Sequence, residues 1–161
     1  MPSITLTNAR SLNNKMDELC ALIKHDSDYR MSNIVCVTET WFNAKEEEKD
    51  INKPVLVSDD IDGFTSVRLD RDHNKTAKEK GGGLVLFVNK QWASNITIRE
   101  THNTPDYEIL SVSFRPFYLP REFTQVTVIL AYVPGPDDTA AGEQIAQCYL
   151  TTLSLGQLNS P

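Results

Sequence analysis

The chain has 161 residues, of which 40% are hydrophobic, so it can bury one compact core and is short for two domains. Its formal net charge of −6 argues against a protein that coats nucleic acid with its whole surface. Its apolar runs are too short to span a bilayer, its N-terminus lacks a signal-peptide pattern, and its three cysteines form no C-x-x-C pair. These features predict an intracellular domain that is not secreted and has no membrane partner.

The first part of the chain has the pattern of a β–α–β unit. Residues 3–7 alternate polar and apolar side chains and predict a strand that ends at Asn8. A helix with Asn13 or Asn14 as its N-cap follows, because the next apolar residues have helical spacing. Those residues are Met16, Leu19, Cys20 and Ile23. The segment Ile34–Thr38 is almost entirely apolar, which is typical of a strand covered on both faces, and the order of elements predicts two parallel strands.

The middle of the chain is polar before it returns to an apolar strand. Residues 43–62 carry seven acids against three lysines and predict a surface loop or a short helix. Residues 64–67 predict a short strand, and residues 70–80 predict a charged loop. Gly81–Gly83 then precede a strand at Leu84–Val88. Because no helix follows the glycines, they indicate tight backbone geometry rather than a phosphate-binding loop.

The second half of the chain predicts three antiparallel strands and a final helix. The strands are expected at residues 96–99, 107–114 and 124–132. Pro116 and Pro120 fall in the last connection between them, where proline is tolerated. Residues 137–155 predict a helix, because several of their apolar residues share one helical face. No repeat or linker interrupts the pattern, so residues 1–161 are predicted to form a single domain.

Three predicted strands end in polar side chains, namely Asn8, Glu39 and Tyr132. The first two should emerge at one edge of the sheet, where α/β proteins bind their ligands. Glu39 is suited to hold Mg²⁺, while Asn8 and Tyr132 are suited to contact a phosphate. The pattern alone leaves a second interpretation open, in which these side chains serve solubility at strand ends. Trp41 and Trp92 are interpreted as packing residues rather than platforms for base stacking.

Five motifs occur along the chain in order, with spacing that suits a known domain. They are N-A-R-S-L-N-N-K-M-D-E-L at 8–19, V-T-E-T-W-F at 37–42, G-G-G-L-V-L-F-V at 81–88, R-P-F-Y-L-P-R-E-F-T at 115–124 and A-Y-V-P at 131–134. This series resembles the N-terminal part of the endonuclease domain of LINE-type (non-LTR) retrotransposon proteins. Those domains belong to the endonuclease/exonuclease/phosphatase superfamily, together with apurinic endonucleases and DNase I. The resemblance covers nearly the whole chain.

The resemblance implies a fold, a cofactor and a substrate. The fold would be the N-terminal part of a four-layer α/β sandwich, with a mixed sheet and flanking helices. The activity would be hydrolysis of DNA phosphodiesters with Mg²⁺ or Mn²⁺. Glu39 matches the family's metal-binding glutamate, Asn8 matches the asparagine that helps to place metal, water and phosphate, and Tyr132 matches the tyrosine that contacts the scissile phosphate. Arg10 and Lys15 lie near the family's DNA-contacting first loop, and we interpret them as nucleic-acid-binding residues.

The sequence also departs from the family pattern. It contains no G-D-F-N, no S-D-H and no histidine after His102, although the family uses such residues to activate water and bind phosphate. Tyr132 is followed by V-P-G-P, with Gly135 as an insertion. We therefore expect a truncated domain that lacks its C-terminal strands, exposes one sheet face and is inactive alone. The alternative is a non-enzymatic remnant or interaction module that uses the exposed face to bind a protein partner or a second copy.

Overall fold

The computed structural model describes residues 2–42, 61–71 and 81–133 in full, and residues 55–57 and 145–154 at the level of the backbone. These residues form two β-sheets together with short helices. The predicted mixed α/β class is therefore confirmed.

The first sheet contains five strands in the order β1-β2-β5-β4-β3. These are β1 (Ile4–Asn8), β2 (Ile34–Thr38), β3 (Val55–Val57), β4 (Phe64–Leu69) and β5 (Leu84–Asn89). Strands β1 and β2 are parallel, as predicted, whereas the other neighbours are antiparallel, so the sheet is mixed. Strand β3 corrects the prediction of a loop or short helix for residues 43–62; residues 43–54 and 58–60 lie outside the described part.

Two α-helices connect β1 to β2, and the first of them covers the sheet. Helix α1 spans Met16–His25 and α2 spans Ser27–Arg30. The apolar residues Leu19 and Ile23 of α1 are buried, as their spacing predicts. The predicted asparagine N-cap is wrong, because Asn13 and Asn14 lie in a short 3₁₀ helix that precedes α1, and no side chain caps α1. No helix in the described part of the chain is long and apolar enough to cross a membrane.

The second sheet is an antiparallel meander in the order β6-β7-β8-β9. Its strands are β6 (Ala93–Asn103), β7 (Glu108–Pro116), β8 (Phe123–Val133) and β9 (Ile145–Ser154). The first three confirm the predicted meander, and Pro120 lies in the turn between β7 and β8. The last corrects the prediction of a helix at residues 137–155: residues 145–154 form a strand, and residues 137–144 and 155 lie outside the described part.

Strand β9 shows how tertiary pairing overrides a helical pattern. Its sequence, I-A-Q-C-Y-L-T-T-L-S, contains tyrosine and three β-branched residues (one isoleucine and two threonines) in ten, so its intrinsic preference for a helix is weak. The backbone of β8 offers hydrogen-bonding groups along its full length, and β9 pairs with it from Val133 to Phe123. A strand pairing of this length satisfies backbone N–H and C=O groups on both strands that would otherwise lack a partner in the sheet.

The two sheets share one hydrophobic core. Apolar residues of β2, β4 and β5 pack there against apolar residues of β6, β7 and β8, and nearly all are completely buried. The members of this core include Ile34, Cys36, Leu69, Leu84, Leu86, Val88, Leu110, Val112, Phe114, Val128 and Leu130. The face of the first sheet that we expected to be exposed is thus covered by the second sheet, and this corrects that expectation.

A second cluster lies on the other face of the first sheet. It joins Val35, Val37, Val85 and Phe87 of the sheet to Leu12, Leu19 and Ile23. The described residues therefore form three layers: helix, first sheet and second sheet. The fourth layer of the expected sandwich stays a prediction.

Candidate functional site

The predicted polar residues meet at one end of the two sheets. Asn8 is the last residue of β1 and pairs with Thr38, the last residue of β2, so Asn8 and Glu39 emerge at the same edge, as predicted. Tyr132 reaches this edge from the second sheet, because β8 ends at Val133. We call this edge the site end.

The backbone of Glu39 has an unusual conformation. Glu39 has a φ of 58° and Trp41 a φ of 55°, both in the left-handed region that non-glycine residues rarely adopt. Such residues each cost on the order of 1–3 kcal/mol and persist where their surroundings fix them. On one side, the N–H groups of Ser11 and Asn13 donate to the carbonyls of Glu39 and Thr40, at 2.8 and 3.1 Å.

The glycine turn holds the same segment from the other side. The N–H of Thr40 donates to the carbonyl of Gly83 at 3.3 Å, and the N–H of Trp41 donates to the carbonyl of Gly82 at 3.0 Å. Residues 39–41 are therefore fixed between two loops, and this explains how the left-handed conformation is maintained.

The Glu39 carboxylate is buried and accepts two side-chain hydrogen bonds. Glu39 is only 6% exposed to solvent. Its Oε1 accepts from the Tyr132 hydroxyl, and its Oε2 accepts from the Trp41 indole Nε1 at 3.0 Å. Burial, and then the hydrogen bond to Glu39, raise the pKa of Tyr132 far above its usual value, so the phenol keeps its proton and donates. Trp41 is thus a site residue, a role that its interpretation as a packing residue missed.

A buried ion pair lies beside Glu39 and was not predicted. The Arg71 Nε donates to Glu108 Oε1 at 2.6 Å, and the Gly83 N–H donates to Glu108 Oε2 at 2.8 Å. Both charged residues are buried, Glu108 at 1% exposure and Arg71 at 4%. Burial raises the pKa of Glu108, Arg71 opposes that effect, and the nearby Glu39 adds to it. Among the described residues, Arg71 is the one buried cation.

One signal in the sequence pointed to Glu108. Alternate residues of a strand share a face, and Glu108 lies on the same face of β7 as Leu110, Val112 and Phe114, which are core positions. A carboxylate on a core-facing position needs a partner. Arg71 gave no such signal, because it lies in a segment predicted to be a charged loop; residues 72–80 of that segment lie outside the described part.

The glycine triplet is required by close packing, as its sequence context predicts. Gly82 has a φ of 74° and Gly83 a φ of 87°. A Cβ on Gly82 would overlap both Arg71 and Glu108, and a Cβ on Gly83 would overlap the Thr40 hydroxyl. The backbone of the turn therefore lies directly on the ion pair and on the Glu39 segment.

Arg10 and Lys15 lie on the loop that follows Asn8, and both are exposed. The Asn8 Oδ1 accepts from the Arg10 N–H at 3.2 Å, and the Lys15 Nζ donates to the Ala9 carbonyl at 2.7 Å. A pocket of about 220 Å³ lies beside Asn8 and Lys15 but does not include Glu39. The loop thus presents two cations next to Asn8.

The described residues provide one carboxylate that is suited to a metal. They contain no group of three or more histidine, cysteine, aspartate or glutamate side chains that could hold an ion. A carboxylate has about four acceptor positions, and Glu39 and Glu108 each use two of them here; the partners of Glu39 are neutral, whereas Glu108 is paired with the Arg71 cation. Mg²⁺ commonly takes one or two carboxylates and keeps several waters. Glu39 fits that role as a single protein ligand.

Several buried polar atoms have no hydrogen-bond partner among the described residues, and those of the Glu39 segment and the ion pair are the Thr38 and Thr40 hydroxyl oxygens and Arg71 Nη2. Such atoms are uncommon in folded proteins and are often satisfied by water or a ligand. Comparison with known proteins adds no relative, since no family model, curated protein or solved structure matches the chain.

Proposed function

We propose that this chain is the N-terminal part of a retrotransposon-type endonuclease-like domain, whose site end binds a divalent cation and a phosphodiester of DNA. The observation that carries the proposal is the contact between Tyr132 and Glu39. These residues lie 93 positions apart and on different sheets, yet their side chains meet at the edge where Asn8 also emerges.

Each residue has a role that its chemistry supports. Glu39 holds Mg²⁺ or Mn²⁺, which supplies stabilisation of the negative charge that develops on a phosphate during hydrolysis. Asn8 orients a phosphate oxygen by a hydrogen bond, and Tyr132, whose one O–H is donated to Glu39, holds that carboxylate beside the phosphate. Arg10 and Lys15 contact the DNA backbone, where lysine and arginine provide affinity without reading sequence. A DNA substrate also implies an intracellular location, nuclear or cytoplasmic.

Hydrolysis needs one further element, a group that activates water. General acid–base catalysis contributes roughly 10²–10⁴-fold in rate. Glu108 is a poor candidate, because it is buried and paired with the Arg71 cation. We therefore propose that the described part of the chain binds metal and DNA, and that hydrolysis requires a water-activating residue from outside that part.

The alternative of an interaction module receives less support. It relied on an exposed apolar sheet face, and that face of the first sheet is buried against the second sheet. The opposite face of the second sheet is mixed in the described residues: Ser111, Ser113 and Thr127 are polar, whereas Ile109, Ile129 and Ala131 are apolar and half-buried.

A nicking assay on supercoiled plasmid with Mg²⁺ tests the proposal. The chain and its Glu39→Gln variant are compared after near-UV circular dichroism establishes that both are folded. We expect nicking at background for both proteins, together with DNA binding that weakens when Arg10 and Lys15 are replaced by alanine. Nicking that depends on Glu39 would show that the chain is a complete nuclease; absence of both DNA and metal binding would overturn the proposal.

A further inference from the structure

We propose that Arg71 and Glu108 are positioning residues, which hold the glycine turn against residues 39–41 and thereby fix the Glu39 carboxylate. The role of Glu39 as a metal ligand rests on the proposed function, but its positioning by this pair does not.

The ion pair joins Arg71 to the glycine turn through Glu108. Glu108 uses both carboxylate oxygens, one for the Arg71 guanidinium and one for the Gly83 N–H. A charge-assisted hydrogen bond of this kind is stronger than a neutral one and fixes the direction of its donor. Glu108 therefore anchors the turn rather than serving as a ligand.

Hydrogen bonds connect the glycine turn to the segment that contains Glu39. The carbonyls of Gly82 and Gly83 accept the N–H groups of Trp41 and Thr40, the two residues that follow Glu39. Trp41 in turn donates its indole N–H to the Glu39 carboxylate. A continuous path of hydrogen bonds thus runs from the ion pair through the turn to the carboxylate.

Stability alone does not account for an ion pair at this place. A buried ion pair is a weak source of stability, because the cost of removing two charges from water offsets their attraction. An apolar pair of similar volume would fill the same space, but it could not accept the Gly83 N–H. A role in orienting the turn therefore accounts for this carboxylate better than a role in stability.

The path offers a specific spectroscopic readout. The chain has two tryptophans, so its ¹H–¹⁵N spectrum contains two indole cross-peaks, which Trp41→Phe assigns. The Trp41 indole donates to Glu39 and reports on the carboxylate. Trp92 packs edge-to-face on Phe114, with ring centroids 5.3 Å apart, toward the opposite end of β7, and serves as an internal reference.

The experiment compares Glu108→Gln and Arg71→Lys with wild type in the absence of metal. Arg99→Lys is the matched control, because the Arg99 guanidinium donates to Ser113 and Gln125 of the second sheet, at 2.9 and 2.6 Å. We expect the Trp41 cross-peak to shift in both test variants, with the Trp92 peak unchanged and neither peak displaced in the control. Where metal binding at Glu39 is established, the test variants should weaken it about 10- to 100-fold.

Other outcomes would overturn the proposal. Unchanged Trp41 peaks in folded variants would mean that the pair does not position the carboxylate. Equal shifts of both peaks, or failure of both test variants to fold while Arg99→Lys folds, would show a global structural role instead. Because no metal is present in the peak comparison, its result is independent of whether Glu39 binds a cation.

Discussion

The two ends of the sheets differ in which side chains they bury and which they expose. At the site end, Glu39, Glu108 and Arg71 are buried, and the chain adopts left-handed conformations to place them. At the far end, the turn between β7 and β8 leaves Phe117 at 55% and Tyr118 at 93% exposure. Charged side chains are therefore buried at the site end, although apolar side chains would cost less free energy to bury. Aromatic side chains are exposed at the far end, although polar side chains would be better solvated there.

This difference indicates that the site end is not a by-product of folding. A buried charge is costly unless it is paired and hydrogen-bonded, whereas single exposed apolar residues are common. The far end could be built from many sequences. The site end requires particular glycines, an arginine and two glutamates to be satisfied together.

The largest effect is expected from adding a methyl group beneath the ion pair. Gly82→Ala combines a positive φ with overlap of Arg71 and Glu108, so it should lower the free energy of unfolding by about 4–6 kcal/mol. Gly63→Ala is the matched control, since Gly63 has a φ of 82° and no atom near its added Cβ. That variant should lose about 1 kcal/mol. Urea denaturation measures both, and equal losses would contradict the assigned packing.

A smaller effect is expected from removing one hydroxyl at each end. Tyr132→Phe removes the donor to Glu39 Oε1 and leaves a buried acceptor with one partner fewer, at a cost of about 1–3 kcal/mol. Tyr118→Phe removes a hydroxyl that is exposed to solvent and should change stability by less than about 0.5 kcal/mol. Thermal denaturation of the two variants compares the ends directly. A similar loss for both would remove the distinction between them.

The smallest effect is expected from pH. Burial raises the pKa of Glu108 above its usual 4.5, so between those two values the native state retains a proton that the unfolded state has lost. The free energy of unfolding of wild type should therefore increase, relative to Glu108→Gln, as pH falls through the raised pKa. Urea denaturation at about pH 7 and about pH 5 measures the difference. Parallel profiles for the two proteins would show that Glu108 does not titrate in this way.

The sequence predicts the strands of the site better than its connections. Strand β2 and the residues around Leu84–Val88 are near-continuous apolar runs, and Asn8, Glu39 and Tyr132 follow from strand ends and from motif resemblance. The Arg71–Glu108 pair depends on which loop returns to which strand, and local patterns do not encode that. The left-handed conformation of Glu39 likewise arises from two neighbouring loops rather than from its own preference.

The end of the chain shows a different reason for failure. Residues 145–154 fit a helical face about as well as a strand, and pairing with β8 decides between them. A prediction from period alone cannot contain that information, because the partner strand lies more than ten residues away in the sequence. The corrected strand is the fourth strand of the second sheet.

The central claim, that Glu39 is a cation ligand at the site end, is tested most directly by Mn²⁺ titration observed through the two indole cross-peaks. Paramagnetic Mn²⁺ broadens nearby signals, and the Trp41 indole contacts the Glu39 carboxylate. The account predicts that the Trp41 peak of wild type broadens well before the Trp92 peak, and that Glu39→Gln removes this selectivity. Equal broadening of both peaks, or the same selective broadening in Glu39→Gln, would contradict it.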